Sequence, residues 1–570
     1  MLGEIILAGR AFRNMLVAAA RNPFSTLLTV MMSPLLLWKP VIRVLIQILI
    51  VVFGGTLLTA LLVPKDWRLA HDALNLLFLA ALVFILWRNI VNPMILHFGP
   101  AGDSATHGSA DFASLKEITA LTTTGAKGGK TNRQGQAAGP GSTDAGETGL
   151  LIGRDGDSGK LLRYHGPAHL LTMAPTRSGK GVGTIIPNLL VAGRSVVCVD
   201  PKGENARITA AVRQGFGPVF VLDPFGVSGL PSSAFNPLGH LDIDHLDVAE
   251  DVSTLADALV HDAPGGAGEA HWNEEAKALV SGVLLHVIAT ETGERRSLAT
   301  LRECLTLAPD AFYELLVSMQ TNRACNGLIA RAANRHMSKS DREAAGVLSA
   351  AQRHTHFLDS PRMTSVLSRS DFSFSDLKLS TVSAFLVLPP DRIDTYSRWL
   401  RLMVTQSLID MARTDVQPRL PVLYLLDEFA ALGHLAPVER AMGLMAGYGV
   451  QLWPILQDIH QLKATYGQRA GTFLSNAGVL QVFSVNDHET AKLVSDLLGQ
   501  TTVTFQTQSR NLDSEDTGLS FSQQQTGRPL LTPDEVRRLP AHAQLLFLTG
   551  QRPIIAKKIR YYEDREFRTT

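Results

Sequence analysis

Cysteine is nearly absent. Cys198, Cys304 and Cys325 are the only three in 570 residues, and their spacing rules out a disulfide framework and a Cys-x-x-Cys metal site. No His-Glu-x-x-His run marks a zinc-dependent protease among the 17 histidines. Charge is also scarce, at 18% of residues against about a quarter in ordinary soluble domains. Neither sign prevails: 53 Lys+Arg face 52 Asp+Glu, for a net charge of +1. Such a chain cannot coat nucleic acid by bulk charge, and contact with a polyanion would need a local basic channel. What takes the place of charge is apolar surface, 45% hydrophobic residues and a mean hydropathy of +0.11. Part of this chain lies in a membrane.

The apolar excess is concentrated near the N-terminus. Val44 to Val63 is uncharged throughout and matches the ~20 residues a bilayer demands. A second run, Ala73 to Trp87, extends as a span to about residue 91, with Arg88 able to snorkel and Trp87 suited to the interface. Asn22 to Trp38, interrupted by Pro34, reads as interfacial. The first span lies too far into the chain for a cleavable signal peptide. Arg10, Arg13, Arg21, Lys39 and Arg43 precede it, against Lys65 and Arg68 in the connecting loop. That bias places the N-terminus in the cytoplasm, and two spans return the chain there. Residues 1–98 thus form a membrane anchor. From 99 to 149 the composition turns to Gly, Ala, Thr and Ser, which predicts a flexible connector.

The strongest chemical signal follows. An apolar strand, Leu170 to Met173, enters a loop, Ala174 to Lys180, and then a helical pattern. Thr176, Arg177, Ser178, Gly179 and Lys180, with Gly181 and Val182 opening the helix, supply a phosphate cradle. Small residues let backbone N–H groups converge on an anion, the helix start adds its dipole, and Lys180 reaches the β- and γ-phosphates. Ala174 departs from the usual glycine, and Gly181 from the usual Ser/Thr that touches Mg²⁺. Further on, Val422 to Leu426 is a continuous apolar strand that ends in Asp427 and Glu428. Such a strand suits the buried centre of a parallel sheet. Asp427 is placed to hold Mg²⁺ and Glu428 to polarise water, although acidic residues are also common in the first turn of a helix. Val450 to Leu456 ends in Gln457, either a γ-phosphate sensor or a polar strand terminus.

Lys180 and Asp427 stand much farther apart than in a minimal nucleotide-binding fold, so an insertion is implied. Strand patterns recur at Val196–Val199, Val219–Leu222, Phe385–Leu388, Val479–Val485, Leu545–Leu548 and Ile554–Tyr562. From 241 to 375 the apolar spacing is helical. The expected fold is therefore α/β: a nucleotide-binding domain in two parts, 150–240 and 376–570, around an all-α insert.

Several ordered segments resemble the TraG/VirD family of type IV secretion coupling proteins: APTRSGKGVGTIIPNLL, VVCVDPKGENA, FVLDPFG, FNPL, LDEFAALG, QDIHQLKATYG and RPLLTPDEVRRLP. HGSADFAS, from His107, is similar to the family's entry into its cytosolic domain, with Asp111 where a basic residue is usual. The resemblance spans Gly149 to the C-terminus. It implies a RecA-like P-loop ATPase, a two-helix anchor in the bacterial inner membrane with its lipid, and a homo-hexameric ring. It also implies ATP and Mg²⁺ as cofactors, with Lys180 and its loop neighbours on the phosphates, Asp427 on Mg²⁺, Glu428 activating water and Gln457 sensing the γ-phosphate. Implied partners are the inner-membrane subunits of the secretion channel and a cargo, either relaxase-linked single-stranded DNA or effector proteins. The run Asp200 to Glu204 is a supporting site, and Arg398, Arg401 and Arg440 are candidates for an arginine finger acting in trans. The loop Pro64 to Asp72 is too short for a folded periplasmic element, which places apparatus contacts in the spans or on the cytosolic face. Two other readings compete: a docking receptor with little turnover, and an FtsK-like DNA pump, whose family has more spans and a winged-helix end.

Overall fold

In the computed structural model, residues 38–64, 67–91, 106–122, 149–260, 270–510 and 519–567 are described, with four isolated positions before them. The chain divides into two compact units, 1–109 with 502–527 and 110–501 with 528–570.

The first unit contains two helices long and apolar enough to cross a membrane, Ile42–Leu61 and Arg68–Asn89. They pack closely at Gly55, where a Cβ would fall 2.9 Å from the Phe78 ring. Close approach at a small residue is how helices associate in lipid. Their outward faces are bare: Leu57, Leu61, Leu76 and Leu77 are each more than 60% exposed. The interfacial reading of 22–38 falls almost wholly outside the described residues.

The second unit is built on an 11-stranded sheet. The chain supplies β1 (Leu150–Asp155), β2 (Leu161–Tyr164), β3 (His169–Met173), β4 (Val196–Asp200), β5 (Val219–Leu222), β6 (Ser383–Val387), β7 (Val422–Leu426), β8 (Val450–Leu456) and β9 (Ala477–Val482). A separate two-stranded sheet, β10 (Gln500–Arg510) and β11 (Leu519–Pro529), precedes β12 (Ala543–Leu548) and β13 (Ile554–Lys557). The order in the main sheet is β2-β1-β13-β12-β9-β3-β8-β7-β4-β6-β5. From β9 to β5 every pairing is parallel. From β2 to β9 every pairing is antiparallel.

Burial follows this division. Strands β3, β4, β6, β7 and β8 are buried at every position, as parallel strands covered on both faces must be. By contrast, β13 alternates buried and exposed. Between β5 and β6 the described residues form helices and no strand, from Val248–Leu259 through Ala270–Thr290 to Asp376–Leu379. Their core is continuous with that of the sheet: one cluster joins Val252, Val280, Leu284 and Val347 to Leu171, Val197 and Leu426.

Only 106–122 and Gly149 of the segment read as connector, 99–149, are described. There Leu115–Thr122 is a helix, and the N–H of Ala113 donates to the carbonyl of Pro553 at 2.9 Å.

Candidate nucleotide-binding site

Strands β3, β8, β7 and β4 lie side by side and parallel. Their carboxyl ends therefore meet at one edge of the sheet, where α/β folds bind ligands. The end of β3 delivers the loop Ala174 to Lys180, β8 delivers Gln457, β7 delivers Asp427 and Glu428, and β4 ends on Asp200. The strand β8 between β3 and β7 puts Gln457 between the loop and the carboxylates.

The loop turns through two left-handed positions, Arg177 (φ 62°) and Gly179 (φ 92°). Glycine adopts such backbone freely, and arginine does so at a cost. A π-helical turn, Gly181–Ile185, follows and continues as the helix Ile186–Val191. Thr176 and Arg177 are exposed, while Ser178, Gly179, Lys180, Gly181 and Val182 are half-buried. Gly183 is glycine for want of room, since a Cβ would fall 2.9 Å from the Ile559 carbonyl oxygen. Gly181 is different: nothing lies within 4 Å of where its Cβ would stand. The hydroxyl missing at this position is not excluded by space.

Lys180 Nζ lies 2.9 Å from Asp427 Oδ1 and 2.5 Å from Glu428 Oε1. Gln457 Nε2 donates to Glu428 Oε2 at 3.2 Å. The four predicted side chains thus form one connected cluster. Burial works against the Lys180 charge, but the two carboxylates outweigh it and raise its pKa. Burial pushes the Asp427 carboxyl up, and Lys180 only partly pulls it back. Glu428 itself holds a left-handed conformation, φ 49° and ψ 44°, and its N–H donates to Asp427 Oδ1 at 3.0 Å. Strain of this kind persists where surrounding structure enforces it, and it concentrates at functional sites.

Two further residues belong here. Asp200 is 1% exposed and accepts from the Ala206 N–H at 2.8 Å. Its pKa is pushed up to about 6 by burial, with the Asp427 charge adding to the effect. Sequence reading gave Asp200 a supporting place only. It missed Lys558 entirely. Just beyond β13, Lys558 Nζ donates to the Ser178 carbonyl at 3.0 Å and to Ser484 Oγ at 3.4 Å, and lies 4.5 Å from the centre of the Phe483 ring. Burial, with the Arg560 charge, lowers its pKa to about 8. No local pattern marks it, because 380 positions separate it from Ser178.

The three arginines fare differently. Arg401 is 7% exposed and donates to the carbonyls of Leu432 and His434 at 3.1 and 2.7 Å. It fastens the segment after Glu428, which removes it as a residue free to reach another subunit. Arg398 Nη2 lies 3.3 Å from His354 Nδ1. Arg440 is exposed on the helix Ala436–Leu444.

The residues fit a nucleotide with its metal. The Ser178 hydroxyl is buried with no partner of its own, the backbone at Gly179 is turned as a cradle requires, and Lys180 and Asp427 stand beside it. A glycine-bearing loop and an acidic pair at the ends of parallel strands, with one strand between them, is the arrangement of a RecA-like α/β fold. Residues 111–570 match the family model described as "Type IV secretory system Conjugative DNA transfer", and the chain belongs to that family. It is 33% identical to the conjugal transfer protein TraG of Escherichia coli over 81% of this chain and 77% of that one. It is 30% identical to the protein VirD4 of Rhizobium rhizogenes over 70% of this chain and 59% of that one. The fold matches the unbound bacterial conjugative coupling protein TrwBdeltaN70 with a TM-score of 0.59 at 17% identity, covering 79% of this chain and 95% of that one. TrwB has also been solved with the ATP analogue ADPNP and with ADP and Mg²⁺, each matching with a TM-score of 0.57.

Proposed function

We propose that this protein is an inner-membrane ATPase that couples nucleotide hydrolysis to the delivery of substrate into a type IV secretion channel. The observation that carries the reading is the Lys180–Glu428–Gln457 cluster on neighbouring strand ends. TrwB, which shares the fold, binds an ATP analogue and ADP with Mg²⁺, which supports the same ligands here.

The residues assign themselves by charge and reach. Triphosphate competes with Asp427 and Glu428 for the Lys180 ammonium, and the backbone from Thr176 to Val182 receives the phosphate oxygens. Lys180 then leaves Glu428, whose free carboxylate accepts a proton from the water whose oxygen attacks the γ-phosphorus, while the bond from that phosphorus to the β–γ bridging oxygen breaks and ADP leaves. Gln457, already hydrogen-bonded to Glu428, holds that carboxylate in place and reports on the γ-phosphate. Mg²⁺, held by Asp427, would neutralise phosphate charge.

Around this centre we assign residues 1–98 to a two-span anchor with both termini cytoplasmic, 99–149 to a connector, and 150–240 with 376–570 to the motor around an all-α part at 241–375. A homo-hexameric ring, the channel's inner-membrane subunits and a cargo of relaxase-linked single-stranded DNA or effector protein complete the assembly. The test is ATP hydrolysis by the full chain in lipid, with and without single-stranded DNA. Stimulation by DNA, abolished in Lys180→Ala and Glu428→Gln, supports the DNA-transfer motor. Hydrolysis indifferent to DNA points to protein cargo, and no hydrolysis under either condition returns the docking receptor.

A further inference from the structure

Two arginines face one another near the same end of the helix pair. Arg43 and Gln47 stand one turn apart on the first helix, and Ile85 and Asn89 one turn apart on the second. Between them lies a cleft of about 380 Å³, lined by Arg43, Gln47, Arg88 and Asn89 over the apolar side chains of Ile50 and Phe84. The helices touch at Gly55 and Phe78, and at this end polar side chains stand between them. Asn89 Nδ2 spans the gap to Gln47 Oε1 only at 3.5 Å and bonds its own helix at the Ile85 carbonyl at 2.8 Å.

The two guanidinium groups have no carboxylate partner among the described residues. Sequence explains why. From residue 5 to residue 102 the only acidic residues are Asp66 and Asp72; the first lies outside the described residues and the second is in the first turns of the second helix. At a rise of 1.5 Å per residue, Asp72 is ~24 Å along the helix from Arg88. The counterion has to come from outside the bundle. At this depth the plentiful anion is the phosphate of a lipid headgroup, and paired guanidinium forks suit phosphate oxygens.

We propose that the cleft between Arg43 and Arg88 is a binding site for the headgroup phosphate of an anionic phospholipid, with Gln47 and Asn89 as neutral donors and Ile50 and Phe84 against the upper acyl chains. Basic clefts between membrane helices select anionic lipids over zwitterionic ones in this way. The inference rests on both helices crossing the bilayer, but not on their direction.

The test is native mass spectrometry of the full chain released from nanodiscs of mixed phosphatidylcholine and phosphatidylglycerol. Wild type should retain phosphatidylglycerol on the order of tenfold above its share of the bilayer. The double variant Arg43→Gln/Arg88→Gln should fall to the bulk ratio, and Arg68→Gln, at the opposite end, should behave as wild type. Equal enrichment in wild type and double variant overturns the site. So does inorganic phosphate binding in phosphatidylcholine nanodiscs and displacing the lipid in mixed ones, which would make the cleft a free-phosphate site. Failure of the two-span reading looks different: wild type would not enter nanodiscs at all, whereas failure of the site alone leaves incorporation intact.

Discussion

The two halves of the large sheet do different work. The half from β3 to β5, parallel throughout, carries the proposed reacting groups at its strand ends. The antiparallel half, β2 to β9, carries none of them, yet it grips the loop after β3 from behind. It does so through a buried amide network. Gln481 of β9 accepts from the Thr172 and Thr184 hydroxyls at 2.8 and 3.1 Å, and donates to the Ile152 carbonyl and to Gln544 at 3.1 and 2.8 Å. Thr184 lies on the helix that follows the loop, so β1 and β12 are tied to the cradle by fully satisfied hydrogen bonds. Lys558 makes a second tie, from the end of β13 to the Ser178 carbonyl. Chemistry and support are thus assigned to opposite sides of β3, and substitutions on each side should fail in different ways.

The largest effect falls on the parallel side. Glu428→Gln should lower the turnover number for ATP by about 10³-fold while leaving nucleotide binding intact, as read by hydrolysis and by titration with a fluorescent analogue. On the antiparallel side the loss should be one of stability instead. Gln481→Leu takes the acceptor from the Thr172 and Thr184 hydroxyl protons and the donor from Gln544 Oε1, at a cost of about 2–4 kcal/mol, visible in the denaturation midpoint of the full chain.

Lys558 lies between these cases and has a pH signature. Its folded-state pKa is depressed, to about 8 from 10.5, so the ammonium is lost as pH rises through 8 rather than above 10. KM for ATP should therefore climb on the alkaline side of pH 8, with kcat changing less. Lys558→Arg should abolish that inflection, and Lys558→Ala should show the raised KM at all pH values, by about threefold to tenfold, as befits one charge-assisted contact. An unchanged pH profile in Lys558→Ala would reduce the residue to packing. The smallest effect belongs to Gly181→Ser. Its Cβ meets open space, so stability should move by less than about 0.5 kcal/mol, and a gain in Mg²⁺ affinity would show that the hydroxyl is absent by choice of chemistry.

The same division governed what could be read from sequence. Parallel strands buried on both faces are continuous apolar runs, so Val422–Leu426 coincides with β7 and Val450–Leu456 with β8. The loop and the acidic pair follow such runs directly, which made Lys180, Asp427, Glu428 and Gln457 legible before their side-by-side order was. The antiparallel end was harder. Strands β1 and β2 are short and meet at a Gly-Asp-Ser-Gly turn, with no motif beside them. The pattern read as a strand over Ile554–Tyr562 stops at Lys557, and the chain then turns to lay Ile559 and Phe567 against the helix behind the loop. Contacts that join residues hundreds of positions apart, such as Lys558 to Ser178 or Gln481 to Ile152, leave no local periodicity. Arg401 misled for a related reason: its exposure is decided by the segment it fastens, not by its own helix.

One feature of the fold bears on mechanics. The described helices between β5 and β6 share one apolar interior with Val197 and Leu426. Interiors packed to crystalline density yield little under load. A small displacement of the β7 end would therefore be transmitted to the helices rather than taken up by compression of the core between them. In engineering terms the piston and the connecting rod are cast in one piece.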